Sequence, residues 1–328
     1  MFRWGILSTA KIAREVVIPA HLNSQKGIIT AIASRSGRKA AAMAARFGIP
    51  HWFGSYEELL ASDEVDGVYI PLPTSQHIEW SLKAAAAAGK HVLCEKPIAL
   101  QASDIASLKR AAKKHKVLIA EAFMVYHHPQ WHKVRELISS GAIGRLRHVQ
   151  GAFSYFNRNP KDMRNRPELG GGGLPDIGVY PTVTTRIVTG MEPKRVQAEI
   201  EFDRKFATDC YANVKADFGD FDLTFYVSTQ MALRQFMVFH GEKGFIEVHA
   251  PFNAGAYDHA SISLHNQDHS ETKSFRFDAD QYRLQADNFV EAAQGGSAPV
   301  FTLDNSVSNQ KVIDAIYRAG KSGGWEKV

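Results

Sequence analysis

The regular exchange of short apolar strands with amphipathic helices along the first 122 residues constrains this chain most. Apolar, β-branched runs at Phe2–Leu7, Ile28–Ala33, Val65–Ile70, His91–Cys94 and Val117–Glu121 have strand length. Between them the periodicity predicts helices over Lys11–His21, Gly37–Arg46, Ser55–Ala61, Ser75–Ala88 and Ala102–His115. Gly48 and Gly89 follow two of these as stop signals. Ser55 and Glu58 form a capping pattern at the start of another. Strands separated by helices make parallel βαβ units, because a parallel crossover needs a helix to cover the sheet. About six such strands form a doubly wound sheet, and ligands bind beyond the carboxyl ends of its strands.

The remainder has another rhythm. A helix at His132–Ser140 and a strand at Arg147–Asn157 lead to a glycine-rich loop and a helix at Pro175–Thr189. Strands then follow without intervening helices: Val196–Phe202, Cys210–Phe218, Leu223–Thr229, Arg234–His240 and Gly244–Val248. This pattern predicts an antiparallel sheet. Two helices, Tyr282–Ala293 and Asn305–Ala319, close the chain. The expected division is an α/β dinucleotide-binding domain over residues 1–122 and an α+β domain over residues 123–328.

The first strand-to-helix turn reads Ser8-Thr9-Ala10-Lys11-Ile12-Ala13. A dinucleotide turn carries G-x-G-x-x-G so that the backbone approaches the pyrophosphate at a helix N-terminus. Here Ser8, Ala10 and Ala13 hold the three glycine positions with small side chains, and Ser8 and Thr9 add hydroxyls for phosphate. The second strand ends Ser34-Arg35-Ser36-Gly37-Arg38, with no carboxylate to meet a ribose 2′-hydroxyl. Ser34, Arg35 and Arg38 suit a 2′-phosphate, which a guanidinium grips through two bonds, so the expected cofactor is NADP. Leu72, Pro73 and Thr74 follow the Val65–Ile70 strand and are placed at the adenosine and phosphate region. His77 is read either there or as a surface histidine at a helix start.

Two segments carry candidate chemistry. Glu95-Lys96-Pro97 puts Lys96 at the rim where a nicotinamide would lie. Gly170-Gly171-Gly172-Gly173 leads into a helix with Asp176 and Tyr180 four residues apart, on one face. Oxidation of an alcohol removes a hydride from carbon and a proton from oxygen. A tyrosine titrates near pH 10, too high for a good base at neutral pH, and a neighbouring ammonium lowers that value. Lys96 supplies the ammonium and a bond to the substrate oxygen. Asp176 either orients Lys96 or the substrate, or caps its helix. Phe156, Asn157 and Arg164, just before the glycine loop, are candidates for a polar substrate pocket.

With these residues together, the chain resembles the glucose–fructose oxidoreductase / inositol dehydrogenase (Gfo/Idh/MocA) family over nearly its whole length. Within it, the chain is similar to the branch holding dimeric dihydrodiol dehydrogenase and NADP-dependent D-xylose dehydrogenase. The resemblance rests on Trp4-Gly5-Ile6-Leu7-Ser8, Pro71-Leu72-Pro73-Thr74-Ser75-Gln76-His77, Glu95-Lys96-Pro97 and Asp176-Ile177-Gly178-Val179-Tyr180. It implies a Rossmann domain joined to a domain with a large, mainly antiparallel open sheet that mediates dimers or higher homo-oligomers. It implies Glu95 at the cofactor ribose, and Lys96 and Tyr180 flanking the reacting carbon. Many members carry histidine where this chain has Tyr180; the tyrosine points to the dihydrodiol and aldose branch.

Other classes fit less well. The net charge of +5, from 39 basic and 34 acidic residues, is spread along the chain and favours an anionic ligand over nucleic acid. The cluster Lys113-Lys114-His115-Lys116 closes a predicted helix, where it complements the dipole. No apolar run reaches the ~18 residues of a membrane span, and no secretion signal is visible, so a cytoplasmic enzyme is expected. Cys94 and Cys210 cannot build a disulfide framework. His128 and His132 have a zinc-like spacing, but Pro129 starts a helix between them and no further ligand completes a set, so no metal is expected. The expected activity is hydride transfer between NADP and a CH–OH group of a small polyhydroxylated substrate, with an aldose such as D-xylose or D-glucose going to its lactone. Trans-dihydrodiol oxidation, reduction of an anhydrofructose-type keto-sugar, and a catalytically silent NADP sensor are the alternatives.

Overall fold

The computed structural model describes the backbone of residues 1–328 and every side chain but that of Ala87. The chain divides into two compact units, Met1–His127 with Asp280–Val307, and His128–Ala279 with Ser308–Val328. The contiguous division expected at 122/123 therefore omits a return segment: residues 280–307 group with the first unit. The reason is apolar. Phe289 and Val290 are buried against Phe2, Trp4 and Ile6.

The first unit is built on six parallel strands: β1 (Phe2–Leu7), β2 (Gly27–Ala33), β3 (His51–Phe53), β4 (Gly67–Ile70), β5 (His91–Glu95) and β6 (Ile119–Ala122). Their order is β3-β2-β1-β4-β5-β6, so the chain reverses its direction of winding at β1 and β4. Residue parity sorts the side chains to two faces. Leu7, Ala31, Ala33, Val68, Ile70 and Cys94 enter one core; Trp4, Ile6, Ile32, Tyr69 and Leu93 enter the other. Both faces are thus buried, which is why the strands read as continuous apolar runs. Helical residues 11–22, ending in α1 (Ile18–Leu22), follow β1; α2 (Gly37–Phe47), α3 (Tyr56–Ala61), α4 (His77–Leu82) and α5 (Ile105–His115) cover the other crossovers. The Ser55 hydroxyl accepts from the Glu58 amide at 3.2 Å, as the capping pattern requires.

In the second unit, α6 (Pro129–Ser139) precedes β7 (Leu146–Phe156), and α7 (Val179–Thr189) follows the glycine loop. Then come β8 (Arg195–Phe202), β9 (Asp209–Asp217), β10 (Asp222–Ser228), β11 (Gln230–Gly241), β12 (Gly244–Val248), β13 (Ser261–Asn266) and β14 (Thr272–Arg276). After α8 (Gln281–Ala293) and α9 (Leu303–Ser322), β15 (Glu326–Lys327) joins the sheet edge. The nine strands run β14-β13-β12-β11-β7-β10-β9-β8-β15, antiparallel except for the β7–β10 pair. One face is apolar, as Ala212, Val214 and Ala216 on β9 show; between them Asn213 and Lys215 face outward. Among the described residues, no helix is long and apolar enough to cross a membrane.

Candidate active site

In the first unit, the turns after β1 and β4 are neighbours, because Ile6 pairs with Tyr69. This is the reversal point of the sheet, where such folds bind their ligand. Ser8 stands at φ +139°, a backbone region that side chains other than glycine rarely adopt. The chain therefore bends here as the missing glycine would. The Ala10 amide donates to Ser8 Oγ at 3.0 Å. Thr9 is half-buried, Lys11 is exposed beside Glu15, and Ile12 packs against the core.

At the end of β2, Ser34 is buried and its Oγ accepts from the Ser36 amide at 3.3 Å, while Arg35 and Arg38 are exposed. Tyr56, which sequence reasoning missed, interacts with both turns. Burial pushes its phenol up, and Arg35 and Ser8 pull it part of the way back. Nothing in the sequence separates Tyr56 from an ordinary apolar helix position.

Leu72 and Thr74 are buried and Pro73 is half-buried after β4. His77 is buried as well. Its Nδ1 lies 2.8 Å from the Pro97 carbonyl oxygen and its Nε2 2.7 Å from that of Leu72. The ring lies beneath these two turns, and both nitrogens are engaged inside the protein. The reading of His77 as a surface histidine does not describe this placement. Glu95 ends β5, with Oε1 accepting from the Tyr69 hydroxyl at 2.6 Å and Oε2 from the Lys96 amide at 3.3 Å. Lys96 is half-buried, and its peptide bond to Pro97 is cis. Glu121 Oε1 accepts from the Ile98 amide at 2.9 Å. Burial pushes the Glu121 carboxyl up to about 7, against the Ser306 hydroxyl and the Ile98 amide.

In the second unit, the glycine loop is pressed onto backbone and carboxylate. A Cβ on Gly171 would sit 2.4 Å from the Met163 carbonyl oxygen. Asp209, buried in β9, accepts from the Leu174 amide at 2.6 Å and from the Tyr317 hydroxyl at 2.6 Å. Asp176 Oδ2 accepts from the Tyr155 hydroxyl at 2.6 Å and from Arg164 Nε at 2.8 Å. Burial and the Asp176 charge raise the Tyr155 phenol far above its ordinary value, so it remains a donor. Asp176 also raises the Arg164 guanidinium. Asn157 donates to Asp162 at 2.9 Å, and Phe156 is exposed. Tyr180 is buried in α7, its ring 5.6 Å from Phe153 and 5.3 Å from Phe252. Sequence reasoning missed Tyr155 and Asp209. Alternation along β7 could have signalled the first, as a polar ring on the strand before the loop; nothing local signals the second. His128 caps α6, its Nδ1 accepting from the Gln130 amide at 3.1 Å.

These features fit a dinucleotide: a glycine-like bend at Ser8, small residues where the helix begins, and two exposed arginines at a turn without a carboxylate. Residues 2–123 match the oxidoreductase family with an NAD-binding Rossmann fold, and residues 131–247 match the GFO/IDH/MocA C-terminal domain. The chain belongs to the GFO/IDH/MocA oxidoreductase family. A D-xylose 1-dehydrogenase (NADP(+)) of Haloferax volcanii is 33% identical, over 98% of this chain and 98% of its own length. A dTDP-3,4-didehydro-2,6-dideoxy-alpha-D-glucose 3-reductase of Actinomadura kijaniata is 32% identical, over 96% and 94%. A crystal structure of a 3-ketoreductase from Actinomadura kijaniata, in complex with NADP and TDP-benzene, superimposes with a TM-score of 0.90, at 29% identity and over 97% of each chain. As a GFO/IDH/MocA oxidoreductase, the chain has an NAD(P)-binding Rossmann domain and a mainly antiparallel second sheet.

Proposed function

We propose that this oxidoreductase uses NADP to oxidise a CH–OH group of a sugar, an aldose such as D-xylose or D-glucose, to its lactone. The observation that carries the reading is the position of Lys96 at the carboxyl end of β5, in a domain whose β2 ends in Ser34, Arg35 and Arg38 without a carboxylate. Parallel sheets of this kind bind ligands beyond those strand ends. The similarity to an NADP-dependent xylose dehydrogenase supports the same substrate class.

The nicotinamide, when bound, takes up or supplies the hydride. The chain's own residues bind, orient and move the proton. Ser8, Thr9, Ala10, Lys11 and Ile12 receive the pyrophosphate at the first turn, and Arg35 and Arg38 grip the 2′-phosphate, with Ser34 beneath them. Leu72, Pro73 and Thr74 line the adenosine side, and Glu95 meets the ribose. Tyr180 is the acid/base: its hydroxyl gives a proton to the substrate oxygen in reduction, and its phenolate takes the proton from the substrate hydroxyl in oxidation. Lys96 holds the same oxygen and favours the phenolate. Asp176 acts through Arg164 and Tyr155, which shape a polar substrate pocket with Asn157 and Phe156. The second sheet, whose outward face carries Asn213 and Lys215, is the surface for a homodimer or higher homo-oligomer. A cytoplasmic enzyme without nucleic-acid or membrane partners fits this chemistry.

A second reading is favoured by the keto-sugar reductases among the relatives: the same residues would run the reaction toward reduction of a keto-sugar. Trans-dihydrodiol oxidation is the third substrate class, supported by a Xenopus tropicalis relative that is 34% identical over 60% of this chain. The experiment is a screen of NADP⁺ and NAD⁺ reduction against aldoses, polyols and dihydrodiols, beside NADPH oxidation with keto-sugars. Aldose turnover with NADP⁺ is expected. Turnover confined to keto-sugars selects the second reading. NADPH binding without turnover on any panel member points to the sensor.

A further inference from the structure

His77 stands at the start of α4 with a side chain 1% exposed, between two backbone carbonyls. The Pro97 oxygen is 2.8 Å from Nδ1 and the Leu72 oxygen 2.7 Å from Nε2. A carbonyl oxygen only accepts, and a neutral imidazole carries a single N–H. The neutral ring therefore makes one of these bonds and turns a lone pair toward the other oxygen. Only the imidazolium makes both.

The two carbonyls belong to two different turns. Leu72 lies in the loop after β4, directly before Pro73 and Thr74, and Pro97 follows Lys96 at the end of β5. One ring thus spans the carboxyl ends of two neighbouring strands at the cofactor side of the sheet. We propose that His77 is a positioning residue that ties the Leu72 turn to the Lys96–Pro97 turn as an imidazolium, and that loss of the ring proton frees one of the two turns. The functional part of this inference rests on the reading that both turns meet the cofactor.

The forces on the proton oppose one another. Burial disfavours the cation, the two carbonyls favour it, and the charged group acting on the ring, Lys96, disfavours it. The balance lies below the ordinary histidine value. The tie is complete on the acid side and loosens as pH rises through that lowered value.

The test uses the full chain labelled with ¹⁵N-histidine, with His77→Gln to assign the signal and His77→Phe as the variant without donors. On the acid side, both ring nitrogens of His77 are expected to be protonated, one of them losing its proton as pH rises. Across that step the wild-type Kd for NADPH should weaken by about 2- to 10-fold relative to His77→Phe, the factor of one net hydrogen bond. The 2′-phosphate titrates alike in both proteins and cancels in the ratio. If His77→Phe does not fold, His77→Gln takes its place in the ratio. A single neutral tautomer at every pH, or a wild-type to variant Kd ratio that stays flat, overturns the proposal. If no protein binds NADPH, the cofactor reading fails by itself, and the protonation state of the two nitrogens still decides whether the tie exists.

Discussion

Asp209 Oδ2 accepts a 2.6 Å hydrogen bond from the amide of Leu174, which joins β9 to the first residue after the glycine loop. This bond fixes where the turn enters the helix that carries Asp176 and Tyr180. Gly172 lies against the same carboxylate, at φ +140°, and a Cβ there would stand 2.1 Å from Asp209 Oδ1. Gly172→Ala combines a clash with a strained backbone, so a loss of about 2–4 kcal/mol is expected in denaturant unfolding. Gly190, at φ +69° with open space around its Cβ position, is the control. Gly190→Ala should lose only about 1 kcal/mol. Equal losses at the two sites would contradict the packing argument.

Tyr155→Phe removes one of the two donors on Asp176 Oδ2 and leaves the aromatic volume in place. Global stability should fall by about 1 kcal/mol, the net worth of one hydrogen bond. Turnover should fall about tenfold if Asp176 must be held for the reaction. Calorimetry and steady-state kinetics on the same preparation separate the two effects. Unchanged kcat and KM would make the Tyr155–Asp176–Arg164 cluster purely structural.

Arg35 and Arg38 are exposed, so their removal disturbs little packing. The double variant Arg35→Ala, Arg38→Ala should lose about 10- to 100-fold in kcat/KM with NADP⁺ while NAD⁺ changes little. A parallel loss with both cofactors would place the two guanidinium groups away from the 2′-phosphate.

Glu121 and His21 give stability slopes of opposite sign. The Glu121 carboxyl is raised by burial from 4.5 to about 7, so between these values the folded state holds more protons than the unfolded chain. Stability therefore falls as pH rises from 4.5 through 7. Glu121→Gln should flatten this limb and gain on the order of 1–3 kcal/mol at pH above 7. His21 is lowered by burial from 6.5 to about 3, so the unfolded chain holds more protons in that window. Stability falls as pH drops below 6.5 toward 3, and His21→Phe should flatten that acid limb. Urea unfolding across pH reads both.

The two sheets were legible because each has a period that burial enforces. Strands buried on both faces, such as β4 with Val68, Tyr69 and Ile70, read as apolar runs, and β9 alternates because only one face is covered. What stayed hidden was short, polar or distant. β3 is three residues long and largely exposed, and β14 is polar throughout apart from Phe275. The return of residues 280–307 to the first unit depends on Phe289 finding Trp4, far away in sequence, at 5.1 Å between ring centroids. Of the candidate site, Lys96, Asp176 and Tyr180 stood out through their motifs. Asp209, Tyr155 and Glu121 did not, because a carboxylate or phenol becomes special only when the fold buries it against a particular amide or charge.

The most direct test pairs Lys96→Ala and Tyr180→Phe with the wild type on the best substrate of the panel, following NADPH formation and, separately, NADPH binding. The account predicts that kcat falls by about 100-fold or more in each variant, the scale of a lost acid/base group, while Tyr180→Phe still binds NADPH with nearly wild-type affinity. Turnover within a few-fold of wild type in either variant would contradict the assignment of the reaction to these two side chains.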